Sequence, residues 1–293
     1  MKISIDCIPC FYRQTAEACR LAGLNEKKTA YIINKTAKLI SRPFGNSTPP
    51  ELAGKIHALI KKESGVEDYY ASAKKLSNKL ALGVYAECKK KVKQSSNPLL
   101  TAAELAIAGN IIDFGIKNSI NPKEEINKIL SKKFFFLHHK KYSVFNKFSA
   151  FIKNSGSIMI LADNAGETVF DRILIEEIKN LYPQKIIYYA VKSKPILNDA
   201  LYADAVKCGI DKSAAVLSSG SVIPGTVLKK CSPPFRKIYK TCAMVISKGQ
   251  GNFESFTDPH KNIFYLFMAK CRPVASAVKC PLKSINLLFS AGV

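Results

Sequence analysis

Apolar residues recur at three- and four-residue steps through the first half of the chain and gather into short unbroken runs in the second. The first pattern predicts an amphipathic helix from Phe11 to about Ala22 and further helices over Leu24–Leu39, Pro50–Glu63, Tyr69–Val92 and Ala102–Gly115. Loops separate them at Ser41–Pro50, whose Pro pair suits a helix start, and at Ser95-Ser96-Asn97-Pro98. Asn121-Pro122 opens another helix, and one more spans about Val144 to Lys153. With no strand pattern in this half, residues 1–150 read as a helical N-terminal domain.

From Ser157 the pattern alternates strand with helix. Strands are expected at Ser157–Ala162, Lys185–Val191, Ala214–Leu217, Ala243–Ser247 and Ile263–Ala269, with helices at Glu167–Leu181 and Ala200–Cys208. Such alternation predicts an α/β fold for residues 151–293, a mainly parallel sheet covered by helices on both faces. In open sheets of this kind ligands bind beyond the carboxyl ends of the strands. Those ends carry Asp163-Asn164, Asn198-Asp199, the Ser-Gly turn 218–221, Lys248 in the Gly-rich segment Lys248–Glu254, and Lys270. A lone Asp163-Asn164 would read as a helix cap. The four later strand ends, each closing on polar residues, turn it into part of a site.

The grouping suggests a chemistry. Asp163, Asn164 and Asp199 offer two carboxylates and an amide oxygen, a hard donor set for magnesium, manganese or a similar divalent cation. Lys248 and the backbone N–H groups of Gly249, Gly251 and the turn at Ser219-Gly220 offer positive charge and donors to a phosphate. The glycine spacing is not that of a P-loop, because the lysine precedes the glycines. Glu167 and Asp171 either orient a water or serve as helix-start charges, the second being the simpler reading for Asp171. On the helical side, Gly109 in mid-helix signals a close crossing, and Asn110 and Asp113 either satisfy each other or face the cleft. The adjacent His138 and His139 point apart on any regular element and read as surface or packing residues.

Bulk properties narrow the classes. The longest apolar runs fall short of a membrane span and the first residues lack a signal-peptide core, which points to the cytoplasm and to no membrane partner. Lys and Arg outnumber Asp and Glu by 45 to 22, a net charge of +23 that invites a nucleic-acid reading. The lysines are scattered in ones and twos without a recognisable nucleic-acid motif, which favours a generic basic surface or attraction of anionic small molecules. The nine cysteines are an odd number for a disulfide framework. Cys7-Ile8-Pro9-Cys10 stands at a helix start, with Cys271 the best placed third thiolate; these thiols are either inert core residues or a metal or cluster site.

Six separated motifs taken together resemble the damage-control phosphatase family, whose domain is also called the acidic-residue methyltransferase-like metal-binding domain. They are Cys7-x-x-Cys10 with Arg13-Gln14, Gly109-Asn110-x-x-Asp113, Asp163-Asn164-Ala165-Gly166-Glu167, Asn198-Asp199, Gly225-Thr226, and Lys248-Gly249-Gln250-Gly251-Asn252-Phe253-Glu254. The match runs in order over nearly the whole chain and resembles the compact microbial branch with an N-terminal CxxC. The resemblance implies a Rossmann-like three-layer α/β/α core behind a helical N-terminal part. It implies a divalent metal (manganese, cobalt, nickel or magnesium) on Asp163, Asn164 and Asp199, and phosphate binding by Lys248; Asn252, in the same segment, joins Gly249 and Gly251 as a candidate phosphate-binding residue. It also implies hydrolysis of a phosphomonoester of a small metabolite, with Asp163, Asp199 and Lys248 catalytic. A carboxyl methyltransferase using S-adenosylmethionine is the alternative, weakened by the single glycine in the turn after the first strand. Two departures stand out: Ala243 lies near where relatives carry an acidic residue, and Cys271-Arg272-Pro273 replaces the usual Cys-Pro. Oligomeric state and substrate identity leave no mark on the sequence.

Overall fold

The structure, a computed structural model, describes residues 1–41, 47–109, 141–256, 258 and 260–289. Asn110, Asp113, the helix expected from Asn121 and the pair His138-His139 lie outside those residues.

Helices α1 (Cys7–Leu21), α2 (Glu26–Ile40), α3 (Pro49–Ser64), α4 (Ala71–Lys93) and α5 (Pro98–Ala108) come first. Local chemistry sets their ends. Asn25 caps α2 by accepting from Lys28 N at 2.9 Å. Thr48 and Glu51 form a reciprocal capping box ahead of Pro49 and Pro50, and Gly65 stops α3 with φ 72°. Caps of this kind satisfy first-turn N–H groups that have no partner in the helix, each worth about 1 kcal/mol. Phe11, Ala18, Ile32, Ile56 and Ile60 bury the inner faces of α1, α2 and α3 against one another.

Helix α6 (Lys141–Asn154) leads into β1 (Ser157–Leu161), α7 (Glu167–Leu181), β2 (Ile186–Val191), α8 (Tyr202–Lys207) and β3 (Ala215–Ser218). Then follow α9 (Pro233–Thr241), β4 (Met244–Lys248), α10 (Gln250–Ser255), β5 (Ile263–Met268), α11 (Arg272–Ala277) and β6 (Ile285–Phe289). The sheet runs β3-β2-β1-β4-β5-β6, with β1 to β5 parallel and β6 antiparallel to β5. That is the strand order of a doubly wound sheet, with its switch point between β1 and β4.

Side chains alternate between the two faces, as the two-residue period of a strand requires. Ile158, Ile160, Tyr189, Ile246, Phe264 and Leu266 pack beneath α4, α5, α6 and α7. Met159, Leu161, Val245, Tyr265 and Phe267 meet Phe235, Tyr239, Phe253 and Val274 from α9, α10 and α11. The result is the expected α/β/α layering. Helices before residue 150 share the first of these cores with the sheet. Strand β6 and helix α9 were not anticipated: Ile285–Phe289 is a short run after the expected last strand, and Pro233-Pro234 reads first as a turn signal, although prolines also start helices.

The close crossing expected at Gly109 is present, because α5 and α7 pack so tightly there that a Cβ on Gly109 would lie 2.7 Å from Phe170 Cδ2. Phe170 is buried. Gly109→Ala should destabilise the fold by about 1–3 kcal/mol through overpacking. Urea unfolding should show this, and Gly109→Ala combined with Phe170→Leu should recover part of the loss.

Candidate active site

Two loops are zipped together at the carboxyl edge of the sheet. Asp163 follows β1, and its carbonyl accepts from Ala200 N at 2.8 Å; Ala165 N donates to Asn198 O at 2.8 Å. Between these bonds Asn164 and Asp199 form an isolated antiparallel bridge. Asn164 Nδ2 donates to Asp163 Oδ2 at 2.9 Å and to Glu167 Oε2 at 3.4 Å. The amide nitrogen therefore faces the carboxylates.

Neighbouring elements lock both loops. Gly166 turns with φ 55°, and its N–H donates to Asn78 Oδ1 on α4 at 2.6 Å. Asn78 Nδ2 donates in turn to Asp204 Oδ1 at 2.7 Å. On the other loop Leu197 takes φ 48°, Asp199 N donates to Ile196 O at 3.1 Å, and Lys61 of α3 donates to Pro195 O at 2.5 Å. Asp199 is buried, and its Oδ2 has no hydrogen-bond partner although Lys192 Nζ stands 3.5 Å away. Burial pushes its carboxyl up to about 6, with Lys192 and Lys74 pulling the other way.

Across the switch point, the loop after β4 presses on Asp163. Gly249 has φ 80°, and a Cβ there would overlap the Asp163 carboxylate, so only glycine fits. Gly251 backs onto Gly225 in the same manner, because a Cβ on Gly225 would overlap Gly251 O.

Lys248 is fully buried. Its ammonium donates to Glu167 Oε1 at 2.5 Å, to Asp171 Oδ1 and to Ala106 O at 2.9 Å. Tyr189 donates to the other Asp171 oxygen at 2.8 Å. Burial alone would lower the Lys248 pKa, but Asp171 and Glu167 override it and hold the lysine charged. Burial lifts Asp171 to about 6 against the pull of Lys248.

This arrangement corrects several expectations. Lys248 spends its three N–H donors inside the protein, so it presents none to a phosphate. Asp171 is more than a helix-start charge: it is half of a buried ion pair with Lys248. Asn252 is also consumed internally: Nδ2 donates to Ala162 O and Lys248 O, and Oδ1 accepts from Thr226. The amides of Ser219 and Gly220 bond to Val191 O and Ser218 Oγ, and Gly249 N bonds to Leu266 O. These residues frame the site rather than line it with donors; for Gly251 the close approach to Gly225 is the feature the structure gives.

Lys192, Lys74 and Asn78 were missed. Lys192 donates to Gly225 O while facing Asp199, and Lys74 pairs with Asp68 at 2.6 Å. Lys192 stands immediately after β2, the one sequence signal that could have flagged it; Asn78 in a lysine-rich helix gives none.

Among the described residues, no three His, Cys, Asp or Glu side chains gather as a metal cluster. The donors that could share a cation are Asp163, Asp199 and the Asn164 amide, and the buried Asp199 Oδ2, ion-paired with Lys192 but without a hydrogen bond, suits that set. All are hard oxygens, compatible with magnesium or first-row divalent ions.

A mainly parallel sheet whose loops after β1 and β2 meet at its carboxyl edge, where Asn164 bridges Asp199, has the layout of an α/β enzyme working at the strand ends. The family model of the damage-control phosphatase ARMT1-like domain matches residues 3–285. The damage-control phosphatase PH1575 of Pyrococcus horikoshii is 32% identical over 286 residues, covering 96% of each chain. A damage-control phosphatase of Archaeoglobus fulgidus is 30% identical over 279 residues, covering 94% of each. Protein MJ0202 of Methanocaldococcus jannaschii is 36% identical over 290 residues, 95% of this chain and 92% of that one. The crystal structure of the DUF89 family protein PH1575 superposes with a TM-score of 0.86 at 30% identity, covering 99% of both chains. The chain belongs to the damage-control phosphatase ARMT1-like family and is a phosphatase.

Lys248→Met should leave Glu167 and Asp171 buried without a counter-charge, at a cost of about 3–5 kcal/mol. Urea denaturation of Lys248→Met alone and with Asp171→Asn checks this: the second change should restore part of the stability. A loss below about 1 kcal/mol would show that the carboxylates are not held by this lysine.

Proposed function

We propose that this phosphatase hydrolyses the phosphomonoester of a small metabolite with a divalent cation (manganese, cobalt, nickel or magnesium) held by Asp163, Asn164 and Asp199. The observation that carries the reading is the bridge between Asn164 and Asp199, which joins the two donor loops beside a buried carboxylate oxygen with no hydrogen bond. A bound cation supplies Lewis-acid stabilisation of phosphoryl oxygens and activation of water, worth several kcal/mol. The protein supplies the rest.

Asp163 and Asp199 set the negative charge that selects a cation. Glu167 divides its oxygens, Oε1 to Lys248 and Oε2 to the Asn164 amide nitrogen, and so sets the orientation of that amide. Lys248 acts in this reading through Glu167 as a positioning residue. Gly249 lets the backbone approach Asp163 closely, which keeps the cleft short on that side. Lys192 places positive charge beside Asp199, Lys74 adds to it, and together they offset the repulsion between the carboxylates and an incoming phosphate. No helix among the described residues is long and apolar enough to cross a membrane, and all nine cysteines are free, which fits a reducing cytoplasm.

Asp163→Ala and Asp199→Asn should each lower kcat/KM for a generic phosphomonoester such as p-nitrophenyl phosphate by about a hundredfold or more in every divalent metal tried. Circular dichroism should stay that of the parent protein. Retention of full activity by both variants would remove the cation from these residues.

A further inference from the structure

The first residue beyond β2 is a lysine whose backbone is tied to the loop carrying Asp199. Lys192 N donates to Ala200 O at 3.1 Å, and Lys192 and Leu201 form an isolated parallel bridge. Along β2, Ile187, Tyr189 and Val191 face the core beneath α7, whereas Ala190 faces the core on the other side of the sheet. Lys192 continues the alternation on the Ala190 side. Lys248, in register with Met244 and Ile246, goes the opposite way and ends beneath α7.

The Lys192 side chain ends between two loops. Its Nζ donates to Gly225 O and stands 3.5 Å from Asp199 Oδ2. Gly225 in turn abuts Gly251, in the Gly-rich segment after β4. The ammonium therefore lies between a proposed cation donor and the turn where Gly225 meets Gly251. Lys192 retains 5% exposure whereas Lys248 has none, so solvent reaches only the first.

An inventory of donors separates the two lysines further. An ammonium has three N–H groups. Lys248 commits all three, to Glu167, Asp171 and Ala106 O. Lys192 has a single hydrogen bond among the described residues, to Gly225 O, and the Asp199 Oδ2 it faces has none. A buried pair of opposite charges with hydrogen-bonding capacity left on both members is costly as it stands. The unused capacity is of both kinds, a carboxylate oxygen for a cation and N–H groups for an anionic oxygen. A phosphate bound through a cation satisfies both at once.

We propose that Lys192 is the residue that binds the phosphoryl group of the substrate and the phosphate product, its N–H groups directed at a phosphoryl oxygen beside the cation on Asp199. Resting on the cation site put forward above, this assignment supplies the phosphate contact that Lys248 cannot make. Charge-assisted N–H···O bonds to phosphate are among the stronger hydrogen bonds, and a lysine offers them as a compact point charge. The bond to Gly225 O ties the loop after β3 to the same side chain, so the wall of the site and its phosphate contact share one anchor.

Manganese(II) and inorganic phosphate, titrated separately, test this. Electron paramagnetic resonance reads free manganese, and calorimetry reads phosphate binding to the manganese-saturated protein. Lys192→Met should bind manganese at least as tightly as wild type, because a positive charge has left the side of Asp199. It should bind phosphate about tenfold more weakly or worse, and its KM for p-nitrophenyl phosphate should rise by more than kcat falls. Lys192→Gln retains an amide donor for Gly225 O and should show the same split, which gives a second variant if circular dichroism shows the first to be unfolded. Asp199→Asn should lose manganese instead. Wild-type phosphate affinity in a folded Lys192 variant, or joint loss of manganese and phosphate, would overturn the assignment. Undiminished manganese binding by Asp199→Asn would strike the cation site, while the phosphate comparison would still judge Lys192.

Discussion

One buried ion cluster holds the reaction edge of the sheet together. Lys248 enters the apolar layer beneath α7 because β4 places it on the same face as Met244 and Ile246, and there it meets Glu167 and Asp171, four residues apart on one helix face. Taking these charges out of water is costly, and the cluster stands because each finds a partner: two carboxylates and a helix carbonyl for the lysine, and the Tyr189 hydroxyl for Asp171. The geometric consequence outweighs the energetic one. The cluster ties α5, α7 and β4 to one point, and its outer member, Glu167, reaches the amide of Asn164.

Around that point the topology does the assembling. Strands β1 and β4 lie side by side although β2 and β3 intervene in the chain, so the loops after them diverge and leave a crevice. Asp163 enters from one side and Gly249 from the other, while the loop after β2 is stitched onto the Asp163 turn by backbone bonds on either side of Asp199. The carboxylates thus stand on backbone anchored at several places, which limits the reorganisation a bound phosphate would demand.

The general plan was legible in the sequence because it rests on periodicity. Unbroken apolar runs alternating with helical spacing gave the five parallel strands, and parallel strands oblige their carboxyl ends to share a rim, which is how residues 36 positions apart, Asp163 and Asp199, could be grouped. Lys248 was misjudged for a physical reason: a lysine beside glycines suggests an exposed phosphate ligand, whereas its parity with Met244 and Ile246 assigns it to the buried face. That signal was present and outweighed by residue type. The contribution of Asn78 was not legible at all, since it depends on how α4 lies across α7, a tertiary fact with no local imprint. Strand β6 escaped because an antiparallel edge strand added after the alternating units breaks the rule that revealed the others.

The hydrogen bond from Gly166 to Asn78 ties the helical half to the turn that carries Asp163 and Asn164. An N–H at this depth, deprived of its acceptor, could not stay buried without penalty. Helix α4 is therefore no removable cover: peeling it away would uncouple the β1–α7 turn from the same side chain that steadies Asp204 at the start of α8. Fraying in the helical layer and loss of the reaction geometry become a single cooperative event, and hydrogen exchange at the Gly166 amide would report on both.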